Sequence, residues 1–410
     1  MISIPDNGTL MPQMSGQFRL FPSSATDLMR LDLLMEAGSA YQPQKLCAKA
    51  ANKLCTTATA SMDAAALSEY MDYRGVVVEP NNDVLQSNIT VYMLRRYAAD
   101  VLPVVAEMLH CPCFTDKEFV TWQARQRQQI LANEQRSSVL ARRIFYEAIF
   151  GSSHPLGSYA KASDVDLLGL DTVRGYFAQR CTAPSGVILA GNVDDDIVNL
   201  LNNLDITPVD RSNALISLSP YSAYRPQPKR HLAIANSVQT TVRVGCIVPL
   251  SWDSADYAML MLAVTALGGY FGSRLMSNLR EDKGYTYGIY ARTQIYRGTI
   301  VFYITADVAG GTAESAIDEI IGELRRLCDA PMEVEELDLV RTVMTGDFLR
   351  SVDGVFERAA RHADMVGTDI DERFTDNLRQ ALIDATPTDI QRVARLCLNP
   401  ENMTVCTAGA

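Results

Sequence analysis

The chain has 410 residues, enough for two ordinary hydrophobic cores, and is 48% hydrophobic, 21% charged and 8% aromatic. That composition excludes disordered and collagen-like classes. Lys plus Arg number 37 against 48 Asp plus Glu, a formal charge of −11, which argues against a protein built to grip nucleic-acid phosphates or anionic membranes.

No run of about 18 apolar residues appears, so no membrane-crossing helix is expected. The N-terminal MISIPDNGTL has neither a basic segment nor an apolar one, so no signal peptide is expected. Nine cysteines read as reduced, mostly buried thiols of a cytosol-like compartment, and a cytoplasmic protein is expected.

In chain order, Phe18–Phe21 and Leu31–Ala37 predict strands, the second closed by Gly38. Helical patterns follow at Gln44–Cys55 and Met62–Tyr73, with Ser61 as N-cap of the latter. Val76–Val78 and Asn88–Leu94 predict strands rich in β-branched residues. Helices are predicted over Ala98–His110, Asp116–Gln135, Val139–Phe150 and Val173–Arg180, then a strand over Gly186–Ala190. Asp205–Arg230, with prolines at 208, 220, 226 and 228 and no sustained periodicity, predicts a linker.

Beyond it, His231–Ala235 and Thr241–Val248 predict strands, and Tyr257–Ala266 and Arg274–Arg280 helices. Tyr287–Tyr290 and Ile300–Ala306 predict strands, Thr312–Leu396 a succession of helices, and Thr404–Thr407 a last strand. Segregated strands and long helices define an α+β class of two similar domains, each a mostly antiparallel sheet against several helices. The expected division is 1–204, a linker at 205–230, and 231–410, with the shared element order suggesting an internal duplication.

The segment with most chemical content is LGGYFGSRLMSNLREDKGYTYGIY, residues 267–290. Gly268, Gly269 and Gly272 predict a tight turn into the next helix, and Gly284 a left-handed stop after it. Tyr285 and Tyr287 then alternate with Thr286 in a strand. No GxxxxGK[ST] pattern is present, so close packing explains these glycines better than phosphate binding.

This Gly-rich turn, SRL, helix and Arg-x-x-x-Gly-x-x-Tyr resembles the C-terminal-half signature of the pitrilysin/insulysin-like zinc metallopeptidases, which include the mitochondrial processing peptidase and the core proteins of the cytochrome bc1 complex. The resemblance extends over most of the chain: MEAGSAYQP (35–43) is similar to the family's AGS segment, and DVLPVVAEMLHCPCFTDKEF (100–119) to its helix–loop–helix. IFGSSHPLGSYA (149–160) is similar to its His-Pro-Leu-Gly loop, and ILAGNVD (188–194) to its strand ending in glycine. The family's active members carry His-x-x-Glu-His on the helix after the AGS segment, two histidines holding zinc and the glutamate acting as general base. Here that window is KLCAKAANKLC (45–55), with no His, Glu or Asp in any register. The third ligand of the family is a later glutamate near an acidic pair. The corresponding RQRQQILANEQ (125–135) offers Gln128–Gln129 and an isolated Glu134, and neutral amides are poor zinc ligands. The resemblance therefore implies no metal and no catalytic residue on this chain.

Arg280 and Tyr287 match the family's substrate-contacting positions, where a guanidinium and a phenol can donate to a developing oxyanion. The alternative is structural: Arg280 paired with a carboxylate and Tyr287 half-buried. Among other residues, His110, Cys111 and Cys113 lack the spacing of a zinc site, and His154 reads as a hydrogen-bonded loop residue. His231 and His362 read as packing or surface residues, and RRYAAD (95–100) and PMEVEELD (331–338) as solvated faces or caps. No G-x-S-x-G motif is present.

The resemblance implies a noncatalytic subunit pairing with a homologous zinc-bearing subunit, to which it supplies Arg280 and Tyr287 in trans for work on unstructured peptides. Zinc is then expected on the partner alone, with no nucleic-acid or membrane partner. A scaffold or peptide-binding protein without any part in hydrolysis, including a homodimer, is the alternative. A self-sufficient zinc peptidase with unrecognised ligands is the least favoured arrangement.

Overall fold

The computed structural model describes residues 9–10, 17–210 and 215–410. The strands are β1 (Thr9–Leu10), β2 (Gln17–Pro22), β3 (Leu28–Met35), β4 (Val77–Asn82), β5 (Ser87–Leu94), β6 (Gly186–Gly191), β7 (Lys229–Ala233), β8 (Gln239–Val248), β9 (Thr286–Tyr296), β10 (Thr299–Ala309) and β11 (Thr404–Gly409). The helices of the first 204 residues are α1 (Cys47–Leu54), α2 (Ala64–Tyr73), α3 (Ala98–His110), α4 (Asp116–Asn133), α5 (Ser137–Phe150), α6 (Ala162–Leu167), α7 (Leu170–Arg180) and α8 (Asp195–Asn203). Later come α9 (Ala255–Gly268), α10 (Ala313–Asp329), α11 (Val334–Ser351), α12 (Val355–Thr368), α13 (Glu372–Asp384) and α14 (Pro387–Cys397).

The described residues form two compact units: those within 1–130, 160–216 and 351–367 make the first, and those within 131–159, 217–350 and 368–410 the second. In the first, the sheet order is β1-β2-β6-β3-β5-β4, with β2 parallel to β6 and every other pairing antiparallel. In the second it is β7-β11-β8-β10-β9, with β7 parallel to β11 and the rest antiparallel. Setting aside the two-residue β1, both sheets follow one scheme: first strand, last strand, second, fourth, third. The two sheets thus carry out the α+β, two-domain architecture expected, with shared topology where sequence identity between the halves is too low to read.

Burial explains the layering. In the first unit Met29, Leu31, Leu33 and Met35 of β3 face one side and meet α1, α3 and α7 through Ala48, Ala51, Leu102, Val105, Val173 and Phe177. The opposite face, Phe21, Leu34, Ile188 and Ala190, is covered by Val355, Ala359 and Ala363 of α12. Central strands buried on both faces read as near-continuous apolar runs, as LMRLDLLM and GVILAG do. The polar exceptions in β3 are Arg30 and Asp32, a buried two-pronged ion pair at 2.8 and 2.9 Å. Thr90 Oγ1 donates to Asp32, and Arg30 Nη1 donates to the Phe356 carbonyl. In the second unit α5 packs on β8 and β11, and α9, α13 and α14 pack together beside β9.

Local departures from expectation have identifiable causes. The N-cap of α2 is Asp63, whose Oδ1 accepts from the Ala65 and Ala66 amides, while Ser61 donates to Glu107 Oε2 at 2.5 Å. The first helix starts at Cys47 because Leu46 adopts φ +70°, a left-handed conformation that costs a leucine about 1–2 kcal/mol. Strand β4 runs on through Pro80 to Asn82, which an edge strand tolerates because its outward N–H groups need no partner. Residues 215–228 form no helix or strand, and β7 begins at Lys229. No helix among the described residues is long and apolar enough to cross a membrane.

Candidate functional site

The segment singled out in the second half is built by α9, a wide helical turn and β9. A Cβ on Gly268 would lie 2.7 Å from the Ala291 amide nitrogen, so the glycine lets the end of α9 touch β9 directly. The predicted helix at Arg274–Arg280 is instead wound with i→i+5 spacing over Met276–Asp282, a form concentrated at functional sites. Gly284 closes it at φ +65°, as its sequence position predicts. Arg274 forms a two-pronged ion pair with Glu336 at 2.7 and 2.6 Å. Arg280 has no ion pair among the described residues; its guanidinium lies over the Phe271 ring, 4.6 Å from the centroid, and that ring is 61% exposed.

Tyr287 is 91% exposed. Its direction follows from a β-bulge. Ile289 pairs with Ala306 and Thr286 with Val308, so Tyr287 and Gly288 together face the single residue Asp307. The extra residue breaks strict alternation, placing Thr286 and Ile289 inward and Tyr287 and Tyr290 outward. Thr286 Oγ1 ties the bulge, donating to the Asp307 carbonyl at 2.8 Å and accepting the Gly288 amide at 3.1 Å. Among the described residues, then, Arg280 makes no ion pair and Tyr287 stands exposed.

The window that the resemblance aligns with the family's zinc motif, residues 45–55, lies in the first unit. Lys49, Asn52 and Lys53 line one pocket of ≈ 400 Å³ on α1, facing Trp122, Arg125 and Gln126 of α4, with edge strand β4 closing the side. Their i, i+3, i+4 spacing matches that of His-x-x-Glu-His and puts all three on one helix face. Buried Asn52 donates through Nδ2 to the Asn81 carbonyl at 2.7 Å and the Asn88 carbonyl at 3.3 Å, while its Oδ1 has no partner. Lys49 is exposed along much of its length, yet the protein around its ammonium desolvates it and lowers its pKa.

These residues do not fit zinc. Ammonium groups have no lone pair to give and repel a cation, and the amides beside them are weak ligands. No group of three or more His, Cys, Asp or Glu among the described residues is arranged to hold a metal ion.

The remaining histidines and cysteines fall where structure accounts for them. His154 is buried, accepts the Leu156 amide on Nδ1 at 3.2 Å and lies 3.3 Å from the Ser219 carbonyl through Nε2; burial lowers its pKa. His231 Nδ1 is 2.8 Å from Thr407 Oγ1, and His362 packs on Phe21. Cys111 and Cys113 are exposed on either side of Pro112, which bridges to Thr59. Sequence reasoning missed the bulge, and it missed the pocket, whose signal was the run of lysines where histidines were sought.

Residues 187–344 match the Peptidase M16 inactive domain. The match and the fold make the chain similar to pitrilysin/insulysin-like proteins, and residues 45–55 carry no His-x-x-Glu-His. Among curated proteins, the chain is 21% identical over 240 residues to the non-peptidase homolog YmxG of Helicobacter pylori, covering 57% of this chain and 54% of that one. It is 27% identical over 196 residues to an uncharacterized zinc protease of Mycobacterium tuberculosis, covering 43% and 44%. The matches thus span about half the length of these curated relatives. Among solved structures, the peptidase M16 inactive domain from Pseudomonas fluorescens matches with TM-score 0.83 at 18% identity over 98% of this chain and 97% of that one. A protease from Helicobacter pylori matches with TM-score 0.83 at 17% identity over 98% and 99%.

Proposed function

We propose that this chain is the noncatalytic member of a two-chain peptidase, pairing with a homologous zinc-bearing subunit and presenting Arg280 and Tyr287 to an unstructured peptide. The observation that carries this is the state of those two side chains: a guanidinium with no ion pair among the described residues and a phenol turned outward by a bulge. An exposed tyrosine and an arginine with no ion pair among the described residues contribute little to their own unit, and such side chains are common anchors in interfaces and substrate grooves. On this reading 1–204 and 231–410 are related peptidase-like halves joined by 205–230, an ancestry supported by their common strand order. Zinc sits on the partner alone, the assembly works in the cytoplasm, and neither nucleic acid nor membrane takes part.

The test is reconstitution with a partner carrying His-x-x-Glu-His, recovered by gentle purification from the native host. Arg280→Ala is expected to lower peptide turnover of the mixed assembly by about 100-fold, as for loss of one oxyanion donor, and Tyr287→Phe by about tenfold or more. Both variants should assemble normally. Unchanged turnover with intact assembly would favour the scaffold or peptide-binding alternative, as would recovery of the chain only with itself.

A further inference from the structure

We propose that the pocket between α1 and α4 is a carboxylate-binding site for the C-terminal end of a peptide. The proposal goes beyond the function above and does not rest on it, since no residue of the pocket belongs to the Arg280–Tyr287 segment.

Charge is the first argument. Lys49, Lys53 and Arg125 line one pocket, no lining residue is acidic, and none of the three makes an ion pair among the described residues. In a chain of net charge −11, carboxylates outnumber cations, and Arg127, two residues from Arg125 on α4, pairs with Asp166. Three unpaired cations around one concavity raise the local potential, and a low-dielectric wall such as Trp122 focuses it.

Hydrogen bonding is the second. The Asn52 side chain is 2% exposed, its Nδ2 is committed to two backbone carbonyls, and its Oδ1 is left without a donor. A buried acceptor without a partner costs about 1–3 kcal/mol, so a ligand able to donate there gains affinity. The cations ask for an oxyanion and Asn52 asks for an N–H. The last residue of a peptide supplies both, its carboxylate next to its own amide. Inorganic phosphate supplies charge and an O–H donor, but no side chain to fill the wall of Trp122 and Pro80.

Shape is the third. At ≈ 400 Å³ the pocket is far larger than a bare anion needs, and Trp122 and Pro80 give it apolar wall for a side chain. The zinc-motif spacing on α1 thus carries the opposite electrostatic preference from a metal site: the helix face that would hold a cation holds lysines and repels one.

The experiment is calorimetric titration of the full-length protein with N-acetyl-Ala-Ala-Ala as the free acid, as the C-terminal amide, and with inorganic phosphate. The free acid should bind, more weakly as salt rises, and the amide at least about tenfold more weakly. Lys53→Glu and Arg125→Glu, both at exposed positions, should each weaken the free acid by about tenfold or more with the circular-dichroism melting curve unchanged. Arg280→Ala should titrate as the parent does, so failure here is distinguishable from failure of the proposed function. Equal binding of acid and amide, no binding of the acid, or indifference to both charge reversals overturns the proposal. Phosphate binding as tightly as the peptide acid and competing with it also overturns it, leaving a general anion site.

Discussion

Cys47, Cys246, Cys397 and Cys406 show what burial does to a single reactive group. Desolvation pushes each thiol up to about 12, so at pH 8 only about one in ten thousand is thiolate. Cys55, Cys181 and Cys328 are buried too, whereas Cys111 and Cys113 stand exposed on the bridge to Thr59. Treatment of the native protein with a thiol-specific disulfide reagent at pH 8 should therefore modify two cysteines quickly and the other seven only on unfolding. Fast modification of more than two would mean that the cores open readily. At this scale the sequence was informative about chemistry and silent about direction. It showed that residues 45–55 lack His, Glu and Asp and that Arg280 and Tyr287 are present. It did not show that Lys49 and Lys53 share a pocket with Arg125, because their convergence depends on α4, some seventy positions further on.

Among the elements, the third strand of each sheet is the edge strand, β4 in the first unit and β9 in the second, and each candidate site lies beside one of them. The segment before that strand supplies part of each candidate site, Lys49, Asn52 and Lys53 of α1 for the pocket and Arg280 of the Met276–Asp282 turn, while Arg125 comes from α4 and Tyr287 from β9 itself. The shared strand order thus puts the two proposed sites at one structural address. For β9 the address depends on close contact with α9 at Gly268. Gly268→Ala inserts a methyl group 2.7 Å from backbone nitrogen and 2.8 Å from the Ala291 side chain, where neither neighbour can swing away. It should destabilise the protein by about 1–3 kcal/mol, read as a lower midpoint in urea unfolding with little change in slope. A midpoint equal to the parent's would show that α9 and β9 can separate freely, and that the glycine has no packing role. The glycine itself was legible as a close-packing residue, but the bulge at Tyr287–Gly288 was not. Periodicity presumes one residue opposite one, and only the pairing with Asp307 reveals that two stand there.

For the whole molecule, chain order and folding unit part company. Cutting at the 205–230 linker looks natural from its prolines, yet the first sheet is covered by α12, which comes from residues 355–368, and the second by α5, from residues 137–150. Expressed alone, 1–204 would expose Phe21, Leu34, Ile188 and Ala190, the face that Val355, Ala359 and Ala363 bury. Expressed alone, 231–410 would lose the helix that packs on β8 and β11, leaving buried Cys406 and Ala408, on the face shared with Thr241 and Arg243, without their cover. Exposed apolar faces of that kind drive aggregation. Neither fragment should therefore give a cooperative thermal transition by itself. Co-expression of 1–204 with 205–410 should yield a soluble, non-covalent pair that melts as one species, since every covering helix is then present and only one exposed chain link is missing. A soluble 231–410 fragment with a sharp transition of its own would refute this and make α5 dispensable to the second core. The reason this exchange was hidden from the sequence is physical: amphipathic helices such as α12 announce that one face must be buried, but nothing in their own residues says against which sheet.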